Sequence, residues 1–465
     1  MSYIQILPEI FSIISSLMLL LTGIVLNHRI TNFLAFCCIT ITLLILIFLT
    51  ENNEFFLFNS LLKFNLYIRS AQGLILIVGA LILLLLNLSS YNFKYEFSIL
   101  ILFAVFGMIT LVSANNLISF YLAFELMSLP LSVLANFNKD SVYSCEAGVK
   151  YFTFSSLSSC IVLYGISLLY GYTGQVNLHQ LSLFIQNHHL VYGIIFGLAF
   201  IFIGLCFKLA VVPFHMWAPD VYQGSPTIVT AFFSSAPKVA ILTFLIRFMN
   251  EELTNIKNYI QPIFFYVSVL SVVASTLGAL RQKNLKRLFA YSSIGHIGFI
   301  FASLSTFTQV GINSSLIYLI IYIITSIGLF SYFIQIDDDD CNIINLSGMW
   351  KKHPVLAFHL SVLLFSMAGI PPFAGFFAKF LIFKNLINSN FISLSLIFAL
   401  TSVVSCYYYL NIVKVLYFDK DTDSKITYSN MLFAIISASS LANIVFFVYV
   451  EDLYSLIHFI TREKL

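Results

Sequence analysis

Apolar runs of about twenty residues recur from one end of the chain to the other, separated by short polar breaks. A helix rises about 1.5 Å per residue, so roughly twenty apolar residues cross a hydrocarbon core of about 30 Å. The alternation of runs and breaks predicts about fourteen spans. Their centres fall near Ser16, Ile41, Leu81, Val105, Glu125, Leu163, Phe202, Val239, Leu270, Gly298, Ile321, Phe365, Val403 and Phe446. The longer polar stretches, Glu51–Ser70, Gly171–His189, Asp337–His353 and Asp419–Ser429, are too short for a folded domain outside the membrane. The pattern is that of an all-α polytopic membrane protein with short loops.

Composition agrees and narrows the class. Of 465 residues, 60% are hydrophobic and 9% charged, and the mean hydropathy is +0.95, which excludes a water-soluble domain of this size. A net charge of +3 gives no sign of nucleic-acid binding. The seven cysteines are scattered apart from Cys37-Cys38 and form no CxxC pair, so they read as core or lipid-facing residues rather than metal ligands or disulfides. The N-terminal apolar run lacks a basic leader and is long enough to span, and no Arg-rich amphipathic presequence precedes it. Heavy use of Phe, Ile, Leu, Tyr and Asn is what an AT-rich genome favours, organellar or bacterial.

Fourteen spans put both termini on one side. Twelve Lys and Arg residues fall in loops on the opposite side and seven on the side of the termini, with Arg69 and Arg247 among the seven. The positive-inside rule then places both termini outside.

Four lysines of the 23 basic residues remain, each in or at the edge of a span: Lys150, Lys208, Lys238 and Lys379. Among the acids, Glu125 in "FYLAFELMSLPLSVL" reads as the one deep inside a span. A charge at the centre of a membrane helix costs about 2.5–3.5 kcal/mol, so five unpaired charges would cost well over roughly 10 kcal/mol. Lysines near a helix end escape this by snorkelling to the interface. That explanation suits Lys150, which follows a polar loop, better than Lys208 or Lys379, which apolar sequence flanks on both sides; Lys238 is intermediate. Glu125 is open to a purely structural ion pair. The functional reading is that these groups face the protein interior and relay protons.

The backbone beside two of them is interrupted. Pro213 follows Lys208 in "FKLAVVPFH", and Gly369, Pro371, Pro372 and Gly375 precede Lys379 in "AGIPPFAGFFAK". Proline lacks an amide hydrogen and clashes with the preceding turn. Non-helical backbone at membrane depth persists only inside protein or along a hydrated cavity, and a broken helix in each half of a chain marks a transporter built from repeats. Desolvation disfavours the charged form of a lysine and a nearby carboxylate favours it, so a buried lysine beside a movable acid can be switched between holding and releasing a proton. His215 in "PFHMWAPD" and His296 in "SSIGHIGF" could also carry a proton, or could simply be hydrogen-bonded in place. His188-His189 and Asp337–Asp340 read as solvated loops, and "GIIFG" at Gly193–Gly197 as a chance match to a helix-packing motif. No phosphate loop, dinucleotide fingerprint or metal-ligand cluster is present in the sequence.

The segment "FKLAVVPFHMWAPDVYQGSPTIVTAFFSSAPKVA" (Phe207–Ala240) closely resembles the signature of the antiporter-like subunit 2 family of respiratory NADH:ubiquinone oxidoreductase, complex I. So do "FELMSLPLSVLANF", "EAGVKYFTFSSLSSCIVLYGISLLYGYTG", "KNLKRLFAYSSIGHIGF" and "AGIPPFAGFFAKFLIF", in order from about Ile118 to Leu386. The resemblance implies the long, fourteen-helix form with two inverted five-helix repeats, each holding a broken helix. It divides the chain into an N-terminal three-helix segment (1–95), a first repeat (96–250), a second repeat (258–418) and a C-terminal helix (430–465). It assigns Glu125 to the glutamate of the fifth helix, Lys208 and Lys379 to the lysines of the two broken helices, Lys238 to the central lysine of the eighth, and Lys150 to a sixth-helix lysine.

The expectation that follows is a proton-translocating membrane-arm subunit that carries no redox cofactor or metal. FMN, iron–sulfur clusters and ubiquinone would belong to other subunits of the enzyme. Its partners would be other membrane-arm subunits, including a neighbouring antiporter-like one, and the lipid bilayer. Two alternatives stand beside it: an Mrp-type cation/proton antiporter subunit and a non-pumping scaffold of the membrane arm. The missing presequence and AT-rich composition favour a mitochondrially encoded, multi-pass protein of the mitochondrial inner membrane, with termini in the intermembrane space; the alternative is a bacterial plasma membrane.

Overall fold

The computed structural model describes residues 2–49, 54–89, 91, 93–187, 191–251, 256–336, 341–420 and 429–462. The loops at His188-His189 and Asp337–Asp340 lie outside the described residues. Among the described residues, twelve helical segments are long and apolar enough to cross a membrane, so the chain is a predominantly helical, membrane-embedded, multi-pass protein. Two of the fourteen expected centres fall elsewhere. Gly298 lies in a helix, Leu285–Leu304, as long as the others but diluted by Ser, His and two basic residues. Phe365 lies in Pro354–Ala368, which stops short at a break.

The chain separates into two compact units. The first comprises Met1–Leu209, Gly224–Tyr259 and Ile460–Leu465. It holds α1 (Leu7–Thr22), α2 (His28–Phe48), a hairpin of β1 (Phe55–Leu57) and β2 (Leu62–Phe64), α3 (Leu66–Leu88), α4 (Glu96–Ser113), α5 (Leu117–Ala135), α6 (Val142–Thr173), α7 (Leu178–Asn187) and α8 (Tyr192–Leu209). The second unit comprises Ala210–Gln223 and Ile260–Phe459 and begins with α9 (Trp217–Gly224). The chain then returns to the first unit for α10 (Thr227–Ser234) and α11 (Ala236–Glu251). The rest of the second unit is α12 (Lys257–Ala279), α13 (Leu285–Leu304), α14 (Gln309–Ile336), α15 (Met349–Lys352), α16 (Pro354–Ala368), α17 (Ala374–Asn388), α18 (Ile392–Phe418) and α19 (Asn430–Val448). The expected C-terminal helix is divided after α19, and α20 (Val450–Arg462) follows.

Two polar stretches read as loops hold regular structure. Glu51–Ser70 contains the hairpin, with Phe55 opposite Phe64 and Leu57 opposite Leu62. Gly171–His189 contains α7, whose buried positions Leu178, Leu181, Ser182 and Ile185 share one face at helical spacing.

Inside the first unit α6 packs closely on α8. A Cβ on Gly165 would stand 2.7 Å from the Gly197 carbonyl oxygen, and one on Gly197 would stand 3.0 Å from that of Gly165. Only glycine allows this approach, so the small residues of "GIIFG" are a packing contact and not a chance match. The α10–α11 segment is buried from Thr227 to Met249.

Three charges read from the sequence as loop residues or overlooked are buried. Glu9 of α1, 4% exposed, pairs with Arg69 of α3 at 3.1 Å. Gln72 donates to the same carboxylate at 2.9 Å and to the Ile109 carbonyl at 3.2 Å. Arg247 of α11, 2% exposed, donates to the Val112 carbonyl at 2.8 Å and to that of Ala114. Glu125 is therefore not the one acid inside a span, and Arg69 and Arg247 do not belong to the loop charges.

Candidate proton-relay site

The helix α8 ends one residue after Lys208, and an irregular segment runs from Ala210, at φ +56°, to Met216 before α9 begins. Proline at 213 leaves the turn without a donor, and the freed Val212 amide donates instead to Ser271 Oγ of α12 at 3.2 Å. The second break separates α16 from α17. Gly369 sits at φ +83°, and the Gly375 amide donates to Ser366 Oγ at 3.2 Å. A third interruption, at Ser235 (φ −120°, ψ −88°), divides α10 from α11. Sequence reasoning missed it, although "FSSAPK" carried the signal: Ser235 bonds back to the Ala231 carbonyl at 2.6 Å, and Pro237 follows.

Each central lysine lies beside one of these interruptions. Lys208 is 7% exposed. Its ammonium donates to Ser155 Oγ of α6 and stands 5.0 Å from the Phe124 ring centroid and 5.3 Å from that of Tyr151, in cation–π range of both. Glu125, half-buried on α5, acts on Lys208 through space without touching it. Its carboxylate accepts from Ser128 Oγ at 3.2 Å. Tyr151 also packs on the Phe233 ring of α10 at 4.9 Å. Lys238 is the third residue of α11 and 4% exposed.

In the second unit the Lys379 ammonium, 6% exposed, reaches back along α17 and donates to the Ala368 carbonyl at 2.8 Å. That carbonyl is one of those the break leaves without a helical donor. The ammonium also lies 5.4 Å from the Phe299 ring centroid. Beside it is a cavity of about 10 Å³ whose walls include His296, Tyr318, Tyr322, Thr325 and Ser366, room for about one water. His296 is bonded on both ring nitrogens, Nδ1 to Tyr318 Oη at 2.7 Å and Nε2 to Tyr409 Oη at 3.1 Å. Tyr409 Oη in turn bonds Ser292 Oγ.

The structure therefore gathers Glu125 and Lys208 in one cluster and His296 and Lys379 in another. It does not bring in Lys150, which pairs with Glu146 at 2.6 Å on a partly exposed stretch of α6. His215 is half-buried in the first break, and its Nδ1 has no hydrogen-bond partner among the described residues.

The family of transmembrane proteins described as NADH:quinone oxidoreductase/Mrp antiporter matches residues 114–405, which hold Glu125, Lys150, Lys208, His215, Lys238, His296 and Lys379. A curated protein of Wolbachia sp. subsp. Brugia malayi, named NADH-quinone oxidoreductase subunit N, is 72% identical over 464 residues, covering both chains completely.

The chain belongs to the NADH-quinone oxidoreductase subunit N family.

A subunit N of Pelagibacter ubique is 41% identical over 97% of this chain and 98% of its own. A chain of respiratory complex I from Thermus thermophilus superposes with a TM-score of 0.85 at 28% identity, over 96% of this chain and 98% of that one. A chain of the Mrp complex from Dietzia reaches a TM-score of 0.86 at 20% identity and shares the fold. The relatives bear the name subunit N rather than subunit 2, and they are bacterial, which moves the reading away from the mitochondrion.

Within this chain, sequence reasoning overlooked Ser155, Tyr151, Tyr318, Tyr322 and Tyr409. A hydroxyl in a membrane helix carries no charge and barely lowers the hydropathy of its window. The spacing of Tyr318 and Tyr322, four residues apart on α14, was the available signal, since it sets both on one helix face.

Proposed function

We propose that this chain is the antiporter-like, proton-translocating subunit N of a bacterial NADH:quinone oxidoreductase, in the membrane arm of the complex in the plasma membrane. Protons would cross it by way of Glu125, Lys208, Lys238, His296 and Lys379. Electron transfer through FMN and iron–sulfur clusters to quinone would take place in other subunits. A neighbouring antiporter-like subunit would receive or relay the coupling signal.

One observation carries this reading. Lys208 and Lys379 are buried beside helix breaks, and each is held by a neutral oxygen, Ser155 Oγ and the Ala368 carbonyl. A lysine clamped on a carboxylate is a structural ion pair. One on a neutral acceptor responds to a change in nearby charge, and the half-buried Glu125 supplies such a charge to Lys208. His296, with a tyrosine hydroxyl on each ring nitrogen, can accept a proton on one side and release it on the other. The one-water cavity supports exchange between His296 and Lys379.

The Mrp reading stays within the same family description. Purification through a tag on this chain separates the two. A complex that elutes with flavin and iron–sulfur absorbance and reduces quinone from NADH supports subunit N. An assembly free of both that exchanges cations for protons would replace it.

A further inference from the structure

A cavity of about 840 Å³ at the start of α2 belongs to neither lysine cluster. Asn27, His28, Arg29, Asn32, Asn87 and Ser89 contribute to its lining, and among the described residues no acidic one does. The helix α2 begins here without a side-chain cap, and while the Ile30 and Thr31 amides donate to the Asn27 carbonyl, those of His28 and Arg29 are left for an outside partner. Arg29 is exposed, and among the described residues it has neither a hydrogen bond nor an ion pair. His28 stacks on Tyr95 at 6.4 Å. The helix end and the arginine together present positive charge to the cavity, and the His28 ring adds a hydrogen-bonding group.

Asn32 gives an independent indication. It is 6% exposed and lines the cavity, yet its side-chain carbonyl oxygen has no hydrogen-bond partner among the described residues. A buried acceptor of this kind requires a donor. The ligand must therefore bring both an anion and a hydrogen-bond donor. From the cavity mouth, α2 continues as an exposed apolar stripe of Ile30, Phe33, Ile41, Leu44 and Phe48 at helical spacing. A headgroup site continuous with a tail-length apolar stripe fits a lipid better than a free ion.

We propose that this cavity binds one anionic phospholipid whose headgroup carries hydroxyls, of the phosphatidylglycerol class. Its phosphate sits against Arg29, His28 and the first amides of α2. A headgroup hydroxyl donates to Asn32, and an acyl chain lies along Ile30 and Phe33.

The test uses the whole purified complex and a photoactivatable phosphatidylglycerol. Labelling of the wild-type chain within Asn27–Phe33 and Asn87–Ser89 is expected. Excess inorganic phosphate should not prevent it, and a phosphatidylcholine probe should label these segments far less. After detergent washing, the paired variant Arg29→Gln/Asn32→Leu should retain about tenfold less phosphatidylglycerol, the loss expected for one charge-assisted phosphate contact. The Arg29→Lys variant should keep most of it. Labelling confined to other helices, equal labelling by phosphatidylcholine, full displacement by inorganic phosphate, unchanged retention in the paired variant, or cross-linking of a photoreactive group at Phe33 to a neighbouring polypeptide would each overturn the assignment.

Discussion

Replacing Gly369 by alanine tests whether the Lys379 ammonium must sit where it does. The residue lies at φ +83°, a conformation that costs an L-residue about 1–2 kcal/mol. The new Cβ would stand 2.8 Å from Lys379 Cδ and 3.3 Å from Nζ, inside ordinary contact distance. The flexible lysine can retreat, but retreat breaks its 2.8 Å bond to the Ala368 carbonyl. A buried carbonyl that loses its donor costs about 1–3 kcal/mol. The two costs together come to roughly 2–5 kcal/mol, concentrated at one side chain. In inverted membrane vesicles, NADH-driven quenching of an acidification dye reports pumping. NADH oxidation by a soluble artificial acceptor reports assembly independently of the membrane arm. We expect Gly369→Ala to keep most of the second activity and to lose about tenfold or more of the first, the equivalent of some 1.4 kcal/mol or more. Gly171→Ala is the control, because a Cβ there meets nothing within 4 Å. Wild-type pumping by Gly369→Ala would refute the argument that the bond to Ala368 holds Lys379 for proton transfer.

Other outcomes follow from the same geometry. Lys208→Arg should assemble but pump nearly as poorly as Lys208→Ala, because arginine does not release its proton; dye quenching by Lys208→Arg at the wild-type level would contradict the relay. Lys150→Ala removes a partly exposed i,i+4 pair worth about 0.3–0.5 kcal/mol, so pumping should stay near wild type, and a loss as deep as that of Lys208→Ala would place Lys150 in the path. Glu9→Gln leaves the buried Arg69 without its counter-charge, which costs about 3–5 kcal/mol; thermal inactivation of the complex should begin at markedly lower temperature, while Glu9→Asp falls between, and an unchanged inactivation profile would remove the pair from the forces holding α1 to α3.

Much of this architecture was written in the one-dimensional pattern. Apolar runs marked the spans, and the prolines and glycines around Pro213 and Gly369 marked two breaks, because those residues act on their own backbone. What depended on distant partners was not visible. Glu9 and Arg69 are 60 positions apart, so neither carries a local sign of the other. Arg247 finds carbonyls of another helix over 130 residues away. Lys150 and Lys208 both read as lysines in or at the edge of a span, the first after a polar loop. The difference between them is the face of the helix each occupies, which three-dimensional packing decides. His296 was recognisable as a titratable group within a span, but its tyrosine partners come from α14 and α18, and no spacing along the sequence connects them.

Proton passage through the buried lysines of this chain can be read from the number of protons moved per NADH oxidised in sealed proteoliposomes that contain the purified complex. The wild type is compared with Lys379→Met, which keeps the length of the side chain and removes its ammonium. The account predicts that the variant complex retains its flavin and iron–sulfur groups and still oxidises NADH with the artificial acceptor. Its proton-to-NADH ratio with quinone should fall below that of the wild type, or quinone reduction should stop with pumping. An unchanged ratio at an unchanged rate of quinone reduction would contradict the account.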